Sequence, residues 1–142
     1  MPQPGPFELA STFLRLRSDV SIEPLPVDGS FWQRIGSGQL GSFHNEYLVT
    51  THAYEADWPM WEMHPNGDEV VCLLSGSVLF ILDLPEGPTQ LPLTQPGSYV
   101  LVPRGTWHTA RSTGACRLLF ITAGEGTQHR PLAAATVPRA EG

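Results

Sequence analysis

From Phe43 onward the chain falls into short apolar or alternating runs separated by turn-forming residues. Eight such runs are legible, at 46–52, 58–64, 70–74, 77–83, 90–93, 98–102, 107–112 and 117–122, each with the length of a strand and all but 90–93 with β-branched or aromatic residues. Between them stand ProAsnGlyAsp at 65–68, SerGly at 75–76, ProGluGlyPro at 85–88, GlnProGly at 95–97, ProArgGly at 103–105 and ThrGly at 113–114. Eight strands in about eighty residues predict an all-β fold, a small antiparallel barrel or jelly roll.

Residues 1–42 read differently. The stretch 7–17 mixes apolar and polar residues, and 20–27 holds Pro24 and Pro26, which rule out a long helix. This lead-in is expected to be irregular and to pack across the barrel. Within it, 31–35 predicts a short helix that Asp28 or Ser30 caps and Gly36 ends. The stretch 128–142, rich in Ala and Pro, reads as a loosely held tail. The expected organisation is a lead-in over 1–42, a barrel over 43–124 and a C-terminal extension over 125–142.

Composition narrows the function classes. A chain of 142 residues suits one domain, and fourteen Gly with fourteen Pro favour strands and turns over long helices. Net charge is −6 with no basic cluster, so nucleic acid is excluded as a partner. All eight basic residues are Arg, which removes Schiff-base chemistry on a lysine. Cys72 and Cys116 stand alone in apolar runs and read as small buried hydrophobes. The first residues show neither a leader pattern nor an apolar run of about twenty, so no membrane partner and a cytoplasmic location are expected.

The chemistry lies in the run Trp58–Pro59–Met60–Trp61–Glu62–Met63–His64. Strand alternation turns Glu62 and His64 to one face, Glu69 opens the next strand after a turn, and His108 opens the strand after ProArgGly. Two imidazoles and two carboxylates suit one divalent metal ion, such as zinc, iron, manganese or nickel. Without a cation, two facing carboxylates would repel.

These residues resemble the cupin superfamily, whose motifs run G(x5)HxH(x3–4)E(x6)G and G(x5)PxG(x2)H(x3)N; here His64 is followed by four residues and Glu69, then six and Gly76. Gly97 is followed by five residues, Pro103, Arg104, Gly105, two residues and His108. Glu62 stands where the family has its first histidine, Ser112 where it has asparagine, and Ala56 and Asp57 where the first motif opens on glycine. The resemblance implies a double-stranded β-helix with metal at the floor of an open cavity, usually dimeric. It implies no one reaction, so function rests on the site.

Outside the motifs, His44, His52 and His129 read as ordinary hydrogen-bonded histidines. Trp58 and Met60 share parity with Glu62 and are expected to wall a substrate pocket, whereas Trp61, Met63 and Trp107 face outward, towards a homodimer partner. Arg130, in the loop after the last strand, reads either as an ordinary surface-loop residue or as a partner for an anionic substrate at the barrel mouth. The resulting expectation is a metal-dependent enzyme of dioxygenase, isomerase or lyase type acting on a small oxygenated organic molecule, with Glu62 as the base. The alternative is a non-catalytic barrel that senses or carries a small ligand.

Overall fold

The computed structural model describes residues 3–132. In chain order its elements are β1 (Thr12–Leu16), β2 (Ile22–Pro26), α1 (Phe31–Gly36), β3 (Tyr47–Tyr54), β4 (Met60–Met63), β5 (Glu69–Leu84), β6 (Gly87–Leu93), β7 (Tyr99–Val102), β8 (His108–Thr122) and β9 (Gln128–Pro131). The long strands β5 and β8 form the spine, antiparallel from Val70 opposite Ile121 to Leu82 opposite His108. On its other edge β5 carries β7 beside its first half and β6 beside its second. The far edge of β8 carries β3 along most of its second half and meets β4 where Glu62 faces His108.

Four expected strands therefore merge into two. SerGly at 75–76 and ThrGly at 113–114 are not chain reversals but irregularities inside continuous strands, with register shifts between Leu73 and Ser75 and between Gly76 and Val78. Their effect on side-chain parity is direct. Before the shifts the buried positions of β5 are odd (Glu69, Val71, Leu73); after them Val78, Phe80 and Leu82 are buried at even ones. Both halves of β5 thus turn their apolar side chains into one core, shared with Leu93, Val100, Val102, Ala110, Leu118 and Phe120. Gly76 makes this approach close: its φ is +79°, and a Cβ there would lie 2.0 Å from the carbonyl oxygen of Ala115.

The expected all-β jelly roll forms, and its sheet is not closed. The sheet path β2-β1-β3-β8-β4-β9 ends on β2 and β9, and β6 and β7 pair only with β5. Nor is the lead-in irregular, because β1 and β2 form a hairpin laid on β3. Its prolines are tolerated by position. Val27 N–H donates to Ser11 O and Arg17 N–H to Ser21 O, so the ladder bonds fall at odd-numbered residues of β2, while Pro24 and Pro26 occupy even ones facing the free edge. Phe13, Leu25, Phe31, Phe43 and Leu48 make a second core beneath α1. Buried Arg15 bonds Glu46 Oε1 at 2.7 Å and the Leu40 carbonyl at 2.7 Å, with its guanidinium 4.0 Å from the Phe43 ring centre. The helix forms over Phe31–Gly36 with no side-chain cap bond, Asp28 instead accepting from Ser30. Of the expected tail, Gln128–Pro131 is a strand paired with β4, and 133–142 lie outside the described residues.

Candidate metal centre

Strand alternation in β4 and the residue after it points Glu62 and His64 inward, and Glu69 and His108 open the two spine strands. The two loops that deliver these residues hold each other. Gly105 N–H donates to the His64 carbonyl at 2.9 Å, and Arg104 N–H to Asp68 Oδ1 at 2.9 Å. Gly67 fits because it lacks a side chain: a Cβ there would lie 2.5 Å from that of Ala123. Where the sequence departs from the family pattern, the departures meet, since Ser112 N–H donates to Asp57 Oδ1 at 2.7 Å.

One donor atom from each of Glu62, His64, Glu69 and His108 lies within 4.8 Å of all the others. His64 Nε2 is 3.3 Å from Glu62 Oε1 and 3.4 Å from Glu69 Oε2. His108 Nε2 is 3.5 Å from Glu62 Oε1 and 3.1 Å from Glu69 Oε1. Donors about 2.1 Å from one ion stand roughly 3.0–3.4 Å apart, so the spacing fits a shared cation.

Hydrogen bonds at the outer ring nitrogens set the tautomers. His108 Nδ1 lies 3.0 Å from the Thr106 carbonyl, an acceptor only, so Nδ1 carries the proton. His64 Nδ1 lies 2.9 Å from Thr127 Oγ1, whose own proton goes to the Gly124 carbonyl at 2.9 Å; Nδ1–H of His64 is again the donor. Both Nε2 lone pairs therefore point at carboxylates. Thr122 holds Glu69 by donating to Oε2 at 2.7 Å. His64 Nε2, His108 Nε2 and Glu69 Oε1 are buried with no hydrogen-bond partner, an arrangement that demands a cation or extra protons at its centre.

The charge balance agrees. Burial pulls both imidazoles down, but Glu62 and Glu69 outweigh it and lift His64 and His108 to about 9. Burial likewise pushes Glu62 and Glu69 up, and the two imidazoles reverse this and hold both carboxyls below their usual range.

This centre sits on the double-stranded β framework, with both motif loops converging on one set of four donors. The fold is the jelly roll that the cupin-like motifs imply. No family model and no curated protein matches the chain. Among solved structures it is similar to a cupin-2 domain protein from Shewanella frigidimarina, at 21% identity over 54% of this chain and 69% of that one, TM-score 0.43. It is also similar to a hydroquinone 1,2-dioxygenase from Sphingomonas sp. (20%, 54% and 59%, TM-score 0.46). A third likeness is to a Bacillus halodurans protein (23%, 60% and 62%, TM-score 0.46).

The cavity beside these donors is open, about 990 Å³, and Trp58, Met60, Glu62, His64 and Glu69 line it. Arg130 is not among its lining residues. In β9 it pairs opposite Trp61, one residue out of phase with Glu62, so its guanidinium lies 5.6 Å from the Trp61 ring centre and 4.6 Å from that of Trp107. Trp61 itself is buried within the chain rather than left for a partner. The neighbouring residue takes the inward place: His129 pairs with Glu62, and its Nε2 is 3.2 Å from Glu62 Oε2. Sequence reasoning gave His129, Thr122 and Thr127 no role, because nothing in the local pattern reveals that β9 returns to β4.

Proposed function

We propose that the chain is a metal-dependent enzyme acting on a small oxygenated organic molecule, with one divalent ion held by Glu62, His64, Glu69 and His108. The reading is carried by the three buried, unpartnered donor atoms, His64 Nε2, His108 Nε2 and Glu69 Oε1, turned towards one point by hydrogen bonds on their far sides. A divalent ion bound there supplies Lewis acidity and a fixed point for an oxygen of the substrate. Glu62 is the most exposed of the four donors, its side chain 27% exposed against 0–3% for the other three. That exposure makes Glu62 the group that meets substrate and serves as the base, and half-exposed His129 at its outer oxygen offers the proton a way to solvent. Trp58 and Met60 form the apolar wall beside it.

The test is metal analysis of untagged protein prepared without chelator. Close to one equivalent per chain is expected, and His64→Ala or His108→Ala should lose it, because no nearby side chain supplies a replacement nitrogen. Wild-type protein that takes up no divalent ion would sink the reading. Full metal loading with bound ligand but no turnover would leave a sensor or carrier in its place.

A homodimer is part of the same proposal. With Trp61 covered by its own chain, the support moves to β7 and the adjacent part of β5, where Tyr99 and Leu101 are each 61% exposed and Leu74 40%.

A further inference from the structure

The wall of the cavity is a run of aromatic rings. His52 and Tyr54 sit two apart in β3 and face the same way, Trp32 comes from α1, Trp58 from the loop before β4, and Phe120 from β8. Ring centres step from Trp32 to His52 (5.7 Å), to Tyr54 (6.2 Å), to Trp58 (5.6 Å) and to His108 (6.2 Å). Phe120 backs the middle of this run, 5.8 Å from His52, 6.3 Å from Tyr54 and 6.0 Å from Trp58. The rings thus lead from half-exposed Trp32 to a donor of the metal centre.

Apart from its histidines, every charged side chain lining the cavity is acidic. Glu55, Asp57, Glu62, Glu69 and Glu125 line the cavity, and no arginine does among the described residues; the chain has no lysine at all. Six arginines are engaged elsewhere: Arg15 with Glu46, Arg17 with Glu23, Arg34 with Asp28, Arg104 with Asp68 and Arg130 with Asp83, while Arg117 bonds Thr51. A divalent ion balances Glu62 and Glu69, and His44 stands 3.0 Å from Glu125. Glu55 and Asp57 line the cavity, and no basic side chain among the described residues forms an ion pair with either. His52 adds no positive charge, because burial and then Arg117 hold its imidazole below the usual value.

We propose that this cavity binds a flat, ring-sized organic molecule that is cationic or uncharged, in that order of preference, and discriminates against the corresponding anion. Ring faces attract a cation and stack on a neutral ring, whereas an organic carboxylate entering here meets no guanidinium or ammonium partner, and a divalent ion whose charge Glu62 and Glu69 already neutralise attracts it little. This rests on the cavity being the substrate site of the proposed metal centre, and it narrows the substrate class.

The test titrates full-length protein, metal-loaded and metal-free, with three isosteres at low salt: benzylamine, benzyl alcohol and benzoate, followed by calorimetry. Benzylamine is expected to bind about tenfold more tightly than benzoate with benzyl alcohol between them, and added salt should narrow the gap. Trp32→Ala, a change at a half-exposed helix position, should weaken benzylamine and benzyl alcohol several-fold. Glu55→Gln should narrow the amine-to-benzoate ratio without moving benzyl alcohol. Benzoate binding as tightly as benzylamine in the loaded protein, or none of the three binding at millimolar concentration, would overturn the proposal. The two readings fail separately: a protein that holds no metal yet keeps the order of the three ligands loses only the metal, and a fully loaded one that prefers benzoate loses only this inference.

Discussion

At the scale of single residues, the site is built from donors whose charges make sense only together. His64 and His108, lifted from 6.5 to about 9 in the metal-free protein, contribute stability that is complete below pH 6.5 and lost as pH rises through about 9. Glu62 and Glu69, depressed from 4.5, contribute stability present above that value and lost as pH falls through their lowered ones. Metal-free protein should therefore lose unfolding free energy between pH 6.5 and 9, and saturating divalent metal should abolish that loss, because the ion takes the place of the protons. Urea midpoints measured across this range with chelator and with metal check the sign; a metal-free midpoint that climbs with pH would contradict it. Thr127 makes a second test. Thr127→Val removes the acceptor that keeps the proton on His64 Nδ1, and metal affinity should fall about tenfold or more, read by competition with a chromophoric chelator.

Among the elements, β5 depends most on a single position. Gly76→Ala adds left-handed backbone strain and a clash with the Ala115 carbonyl in β8. Gly97 also has a positive φ, +93°, but a Cβ there meets nothing within 4 Å. Gly97→Ala should thus cost only the strain, about 1–2 kcal/mol, and Gly76→Ala measurably more, with denaturant midpoints giving the comparison. Equal losses would mean that the two spine strands separate at the bulge without penalty. The hairpin of β1 and β2 illustrates the opposite tolerance, since its two prolines cost no ladder bond at a free edge.

For the molecule as a whole, the apolar patch on β7 and β5 sets the expected assembly. Light scattering at tens of micromolar should give a dimer, and Leu101→Asp should give a monomer with its metal content unchanged, because Leu101 faces away from the cavity. A wild-type monomer at that concentration would remove the homodimer.

The strand rhythm after Phe43, the short helix at Phe31 and the convergence of Glu62, His64, Glu69 and His108 were all legible in the sequence, because each is written in local spacing: alternation, turn residues, and fixed offsets between those four residues. What the sequence could not decide is which distant segments become neighbours. A glycine pair looks the same whether it reverses the chain or bulges a continuous strand, and Gly76 does the second only because β8 runs alongside it. Pro24 and Pro26 look like breakers until β2 proves to be an edge. Arg130 and His129 differ by one residue, and only the register of β9 on β4 sends the imidazole to Glu62 and the guanidinium to Trp61 and Trp107. Period and spacing are properties of a few consecutive residues, whereas pairing register is set by the burial of a whole sheet face, and so it belongs to the tertiary structure alone.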